Sequence, residues 1–173
     1  MAPMMERIGA FVTELSVERP AVVIEPGRSI VAEAGLSLYT IGSIKDIRDI
    51  RKYVSVDGGM TDNIRPALYQ AEYEGLVANK ASEPKDDKVT ICGKCCESGD
   101  ILIKDCMITG TAKTGDLFAM FSTGAYGFSM ASNYNSNPIP AVVLVKDGKS
   151  ELIVKRQSYD DIIKNQVMPE MLK

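Results

Sequence analysis

Glu25-Pro26-Gly27-Arg28 sets a carboxylate and a guanidinium on either side of a Pro-Gly pair. Glycine permits close backbone approach to a ligand, and arginine is a good partner for phosphate or carboxylate. A carboxylate beside a cofactor ring nitrogen would keep that nitrogen protonated. A surface turn closed by an Arg–Glu ion pair fits the same four residues equally well. The stretch from Asp57-Gly58-Gly59 through Asp62-Asn63 to Arg65-Pro66 and Tyr69 is a second candidate. As a substrate loop it offers a carboxylate fork from Arg65 and a hydroxyl from Tyr69; as a capped loop it needs neither. Cys92-Gly93-Lys94-Cys95-Cys96-Glu97-Ser98-Gly99-Asp100 has three readings. They are structural cysteines at a turn, a zinc knuckle from Cys92 and Cys95, or a Cys–Glu pair presented on a loop. The knuckle lacks the second paired motif that a closed four-ligand site requires. A thiol placed over a carbanion can act as a general acid. The fourth stretch, Ser122 to Asn135, collects small residues, hydroxyls, amides and two tyrosines, Tyr126 and Tyr134. It suits either a polar pocket wall or a packed Gly/Ser loop.

Composition narrows the chemistry. The 173 residues contain no histidine, which removes Ser-His-Asp and Cys-His nucleophile systems and the common catalytic zinc sites. Reactive groups must therefore be Cys, Lys, Tyr, Asp, Glu or a bound cofactor. Cys92, Cys95, Cys96 and Cys106 crowd together, whereas a disulfide scaffold spreads its cysteines; reduced thiols are expected. Net charge is −3, with Lys and Arg scattered among acidic residues, so no basic stripe for nucleic acid is present. No apolar run approaches the ~20 residues of a membrane span, and the first residues are too charged for a secretory signal. A cytoplasmic location is expected.

The elements that must position these residues begin with a helical pattern over 4–15, ended by Arg19-Pro20. Ala21–Ile24 follows as a short apolar run suited to a strand buried on both faces, as in a parallel sheet or α/β barrel. After Gly27 the chain turns into short strands at 36–47, 53–56, 75–79, 89–92, 101–103, 117–121, 141–145 and 152–155. Asp147-Gly148 is a strong hairpin signal between the last two. Ser158 is placed to cap a final helix, with Asp160 and Asp161 in its first turn. The expected fold is mainly β: an antiparallel sandwich or barrel over 31–173, a short α/β-barrel remnant over 1–30, and a C-terminal helix.

Taken in order, the four motifs resemble the fold-type III pyridoxal-phosphate-dependent decarboxylases, and within them the diaminopimelate decarboxylase family. The resemblance runs from about Ala21 to Met168, and Cys96-Glu97-Ser98 sets it apart from the ornithine and arginine decarboxylases. It implies an N-terminal α/β barrel that holds pyridoxal phosphate on a lysine, a C-terminal β-domain, and a homodimer whose subunits share each site. It also implies an amino-acid substrate, meso-2,6-diaminopimelate, converted to L-lysine and CO2, with no nucleic-acid or membrane partner. Carried over residue by residue, Glu25 matches the partner of the pyridinium nitrogen. Gly27 and Arg28 match positions facing cofactor phosphate and substrate, and Tyr126 matches a cofactor-binding tyrosine. Arg65, Tyr69 and Glu97 match substrate positions, and Cys96 matches the proton donor. The family's lysine and its ring-stacking histidine have no counterpart here, and only the C-terminal portion of the family's chains is covered. The isolated chain is expected to be inactive and to bind the cofactor weakly or not at all. The other readings are a non-catalytic dimerisation or binding module of the same fold, and another fold-type III amino-acid decarboxylase.

Overall fold

The structure is a computed structural model and describes residues 2–172. The chain runs α1 (Ala2–Glu14), α2 (Arg28–Val31), β1 (Ser37–Ile47), β2 (Arg51–Val56), α3 (Arg65–Tyr69), β3 (Gly75–Val77), β4 (Asp87–Cys92) and β5 (Ile101–Ile108). It continues through β6 (Leu117–Met120), β7 (Val142–Lys146), β8 (Lys149–Val154) and α4 (Tyr159–Ile163). Six strands form one sheet in the order β3-β6-β1-β2-β4-β5, and its two edge strands approach each other, so the sheet nearly closes into a barrel.

Alternation along the strands fills that barrel. Tyr39 and Ile41 of β1, Val54 and Val56 of β2, Val89 and Ile91 of β4, and Phe118 and Met120 of β6 are all buried inward. Curvature comes from extra residues in the ladder. The β1–β2 register slips between Ile41 and Ile44, where the Ser43 amide leaves the ladder and donates to Ser55 Oγ at 2.8 Å. A second slip in β5 puts Asp105 at φ 56. Such bulges bend and twist a strand, which is what closure of a short barrel needs.

The expected strands form, with two differences. The sheet is not purely antiparallel, because β2 and β4 pair in parallel. Parallel neighbours need a long crossover, and residues 57–86, carrying α3 and β3, supply it. The strand expected at Ala21–Ile24 does not form, and Val23 is 85% exposed. A strand exists only against hydrogen-bonding neighbours, and this stretch pairs with none among the described residues.

The first helix also stops short of Arg19-Pro20. Ser16 takes φ 52 and the Val17 amide bonds back to Val12 O at 3.3 Å, a left-handed helix end. None of the helix is buried. Residue 30, at which a division is expected, lies within α2, and Ala32 and Gly35 beyond it accept hydrogen bonds from the Gly124 and Thr123 amides at 3.0 Å each. β7 and β8 form a separate hairpin turned by Asp147 (φ 51) and Gly148 (φ 72). Ser158 and Asp161 close a capping box on α4.

Candidate active site

Strand direction brings the four candidate stretches to one end of the barrel. β2 and β4 run in parallel with Ser55 opposite Cys92, so the loops that begin at Asp57 and Gly93 leave the sheet side by side. β2 and β6 are both antiparallel to β1, so β6 also ends at this rim, and β1 begins there. The loop after Met120 and the Arg28–Gly35 segment are thereby delivered to the same place.

Four of the expected residues, Gly27, Arg65, Tyr69 and Tyr126, meet. The Arg65 guanidinium lies 5.2 Å from the centre of the Tyr69 ring and 5.4 Å from that of Tyr126. These are cation–π distances, and they hold the fork on α3 between two aromatic faces. Arg65 Nε is buried and has no hydrogen-bond partner. A side chain added at Gly27 would collide with the Tyr126 hydroxyl, so Gly27 allows the tyrosine tip to lie against the backbone. Arg28 stacks over Tyr73 at 5.3 Å. Tyr126 itself adopts φ 58, a left-handed conformation that is costly for a bulky residue. Glu25 sits in the exposed coil just before this group.

Cys96 and Glu97 are anchored by other contacts. The exposed Cys96 donates its amide to Asn135 Oδ1 at 2.8 Å, and Glu97 Oε1 accepts from the Gly99 amide at 3.1 Å and Ser98 Oγ at 3.3 Å. Beneath them Asp100, 3% exposed, accepts from the amides of Met60 (2.7 Å) and Cys95 (2.8 Å). Gly59 and Gly93 both abut its carboxylate, and a side chain on either would occupy the same space. Burial, and then the Asp100 charge, push the Cys92 and Cys95 thiols up. Cys106 in β5 is pushed up to about 11 by burial. All four cysteines are free thiols, and among the described residues no three potential metal-ligating side chains converge. No described helix is long and apolar enough to cross a membrane.

The loop from Ser122 to Asn137 joins the two groups, carrying Tyr126 near one end and Asn135 near the other. Residues 57–63 touch both halves: the Ser132 amide donates to Thr61 O at 3.0 Å, and the Lys94 amide to Gly58 O at 3.0 Å. Three residues here were not singled out by sequence: Tyr73 under Arg28, Asp100 and Asn135. The residues next to Asp100 in the chain do not distinguish a buried aspartate after glycine from an exposed turn residue. The glycines at 59 and 93 were the available signal, since close packing against a side chain requires them.

The chain is similar to known proteins. Residues 12–124 match the family model described as "Pyridoxal-dependent decarboxylase, C-terminal sheet domain". The diaminopimelate decarboxylase of Bacillus subtilis is 59% identical over 145 residues, covering 84% of this chain and 33% of the relative. That of Staphylococcus aureus is 55% identical over 151 residues, covering 87% and 36%. A diaminopimelate decarboxylase crystal structure from M. jannaschii, in complex with L-lysine, superimposes with a TM-score of 0.79 at 36% identity, over 95% of this chain and 37% of that one. The chain thus spans about a third of the length of the curated relatives it matches. The nearly closed sheet, with its motif-bearing loops gathered at one rim, belongs to the pyridoxal-dependent decarboxylase family, as that family's C-terminal sheet domain.

Proposed function

We propose that this chain forms one wall of the active site of a diaminopimelate decarboxylase, the enzyme that converts meso-2,6-diaminopimelate to L-lysine and CO2. The observation that carries the reading is Arg65, a guanidinium held between two tyrosines, with a buried Nε that has no partner, in the same cluster as Gly27 and Tyr126. A buried donor without a partner is costly unless a ligand supplies one. Pyridoxal phosphate is an aromatic anion, and two guanidinium groups, aromatic rings and a close-packed glycine fit such a molecule. Glu25, Gly27, Arg28 and Tyr126 are the residues that would hold it. When bound, it supplies the electron sink for the carbon that loses CO2.

The chain's own side chains do the rest. Arg28 and Arg65 bind the substrate's distal carboxylate, Tyr69 offers it a hydroxyl, and Glu97 takes the distal ammonium. A substrate without that carboxylate leaves the arginines unpaired, at a cost of roughly several kcal/mol, which sets the specificity. Cys96 holds a proton on Sγ and delivers it to the carbon vacated by CO2. A homodimer whose copies share each site is the assembly this reading implies. Four free thiols suit the reducing cytoplasm, where we place the reaction. The family's lysine and histidine have no counterpart in these 173 residues, so the chain by itself is inactive in this reading.

The test is Cys96→Ala in the full-length decarboxylase. Lysine formation is expected to fall by roughly a hundredfold or more, the usual range for a removed general acid, with cofactor absorbance intact. Near-normal turnover in that variant refutes the assignment.

A further inference from the structure

Two hydrogen bonds fix two successive amides directly beside the proposed proton donor. Asp100 uses one carboxylate oxygen on the Met60 amide (2.7 Å) and the other on the Cys95 amide (2.8 Å). It is buried, and both oxygens are committed to backbone, so it ties the loop after β2 to the loop after β4. The next amide, that of Cys96, goes to Asn135 Oδ1 at 2.8 Å. Asn135 reaches it from the loop after β6, in a left-handed conformation (φ 52, ψ 28) that asparagine tolerates better than most residues. That arm is itself braced. Asn133 Nδ2 donates to Asn137 O at 2.8 Å and Gln157 Oε1 at 2.5 Å, and the Ile139 amide donates to the same Gln157 oxygen at 3.0 Å. Asn137 Nδ2 also reaches Cys95 Sγ at 3.9 Å.

We propose that Asp100 and Asn135 are the positioning residues of the Cys96–Glu97 pair. Neither touches the reacting atoms. Together they remove the backbone freedom of residues 95 and 96, so that the exposed thiol samples only its own side-chain torsions. Misplacing a catalytic group by about 1 Å costs on the order of a hundredfold in rate, so a backbone clamp at the donor is a rate device as well as a structural one. Asn135 also couples the donor to the loop that carries Tyr126. The inference rests on the reading of Cys96 as proton donor.

Because Asp100 is buried, the decisive variants are at exposed Asn135, made in the full-length decarboxylase. Asn135→Gly keeps the left-handed backbone at no steric cost and removes the side chain that carries the acceptor. Asn135→Asp keeps an acceptor and the same backbone tolerance. Asn135→Gly is expected to lower kcat roughly tenfold with KM within about twofold, the pattern of a lost transition-state alignment. Asn135→Asp is expected to restore kcat. Hydrogen exchange resolved to single residues gives a readout independent of turnover. The Cys96 amide should exchange roughly tenfold faster in Asn135→Gly than in the parent or in Asn135→Asp, with the Ile91 amide in β4 unchanged. Asp100→Asn leaves one oxygen for two amides, and faster exchange is expected at Cys95 or Met60. Parental kcat and parental Cys96 exchange in Asn135→Gly overturn the proposal, as does an Asn135→Asp variant as impaired as Asn135→Gly. If Cys96→Ala still turns over, the proton-donor reading fails, while the exchange rates continue to report on the clamp.

Discussion

Replacing Arg65 by leucine separates what an arginine does for the fold from what it does for a ligand. In the free protein Arg65 makes two ring contacts, at 5.2 and 5.4 Å, each worth about 0.5–1 kcal/mol at a partly exposed place. Against that stands a buried Nε without a partner, which costs about 1–3 kcal/mol. The two nearly cancel, so Arg65→Leu should change stability by no more than about 1 kcal/mol, a Tm shift of at most roughly 2–4 °C, since the shift per kcal/mol shrinks as the chain lengthens. Catalysis should respond very differently. A guanidinium fork on a substrate carboxylate contributes about 1.5–3 kcal/mol, and stranding the carboxylate in a half-buried place raises the loss to about 3–5 kcal/mol. That is a fall in kcat/KM for diaminopimelate of about a hundredfold or more. Arg65→Lys, which keeps the charge and loses the fork, should lie between, near tenfold.

The assays are steady-state lysine formation in the full-length decarboxylase and thermal unfolding of the same variants. Two results would refute the reasoning. A kcat/KM within threefold of the parent means that Arg65 does not face the substrate. A Tm loss of more than about 10 °C means that the arginine is a structural member and its Nε is satisfied when the protein is assembled.

Two further predictions concern the fold. Asp116 is buried and accepts from Lys80 (2.7 Å), Asn79 (2.9 Å) and the Lys113 amide (2.9 Å), which push its carboxyl down to about 2, Lys80 contributing most. Its folded value lies below the unfolded one near 3.9, so its stabilisation is complete above that value and is lost as pH falls toward 2; Asp116→Asn should flatten the acid arm, and an equally steep fall of the urea midpoint between pH 4 and 2 would contradict this. Phe118 is fully buried with its ring against Gly75, so Phe118→Ala should cost about 3–5 kcal/mol in urea unfolding with m unchanged, and a loss under about 1.5 kcal/mol would show that the barrel is loosely packed there.

What was legible in the sequence was local. The alternation in Ser37–Ile47, the Asp147-Gly148 turn and the Ser158 cap depend on neighbours a few residues away, and each element forms where its pattern lies. What was illegible depends on distant partners. The apolar run at Ala21–Ile24 reads the same whether or not neighbouring strands are present, and among the described residues it has none. The parallel pairing of β2 with β4 leaves no trace in either strand, because register and direction are decided by where the crossover lands. Motif composition points to Arg65 and Tyr126 separately; that they share one cation–π contact depends on the fold, which brings the loops after β2 and β6 to one rim. Asp100 closes the Cys92–Asp100 stretch, yet its burial depends on Gly59 and Gly93 meeting its carboxylate from two different loops.

The loop after β6 explains why the candidate site is organised in two halves that still act together. Ser122, Tyr126, Asn135 and Ser136 all take positive φ within it. Asparagine accepts this conformation readily, whereas a bulky tyrosine pays roughly 1–3 kcal/mol, and such strain persists only where surrounding contacts over-determine it. Those contacts are present: Tyr126 is held by the Gly27 backbone and the Arg65 guanidinium, and Asn135 by the Cys96 amide. Tyr126 anchors the loop at the arginine cluster, and Asn135 anchors it at the cysteine loop. A left-handed tyrosine at one end and a hydrogen bond at the other thus pin one loop to both groups, at the rim to which the parallel course of β2, β4 and β6 delivers them.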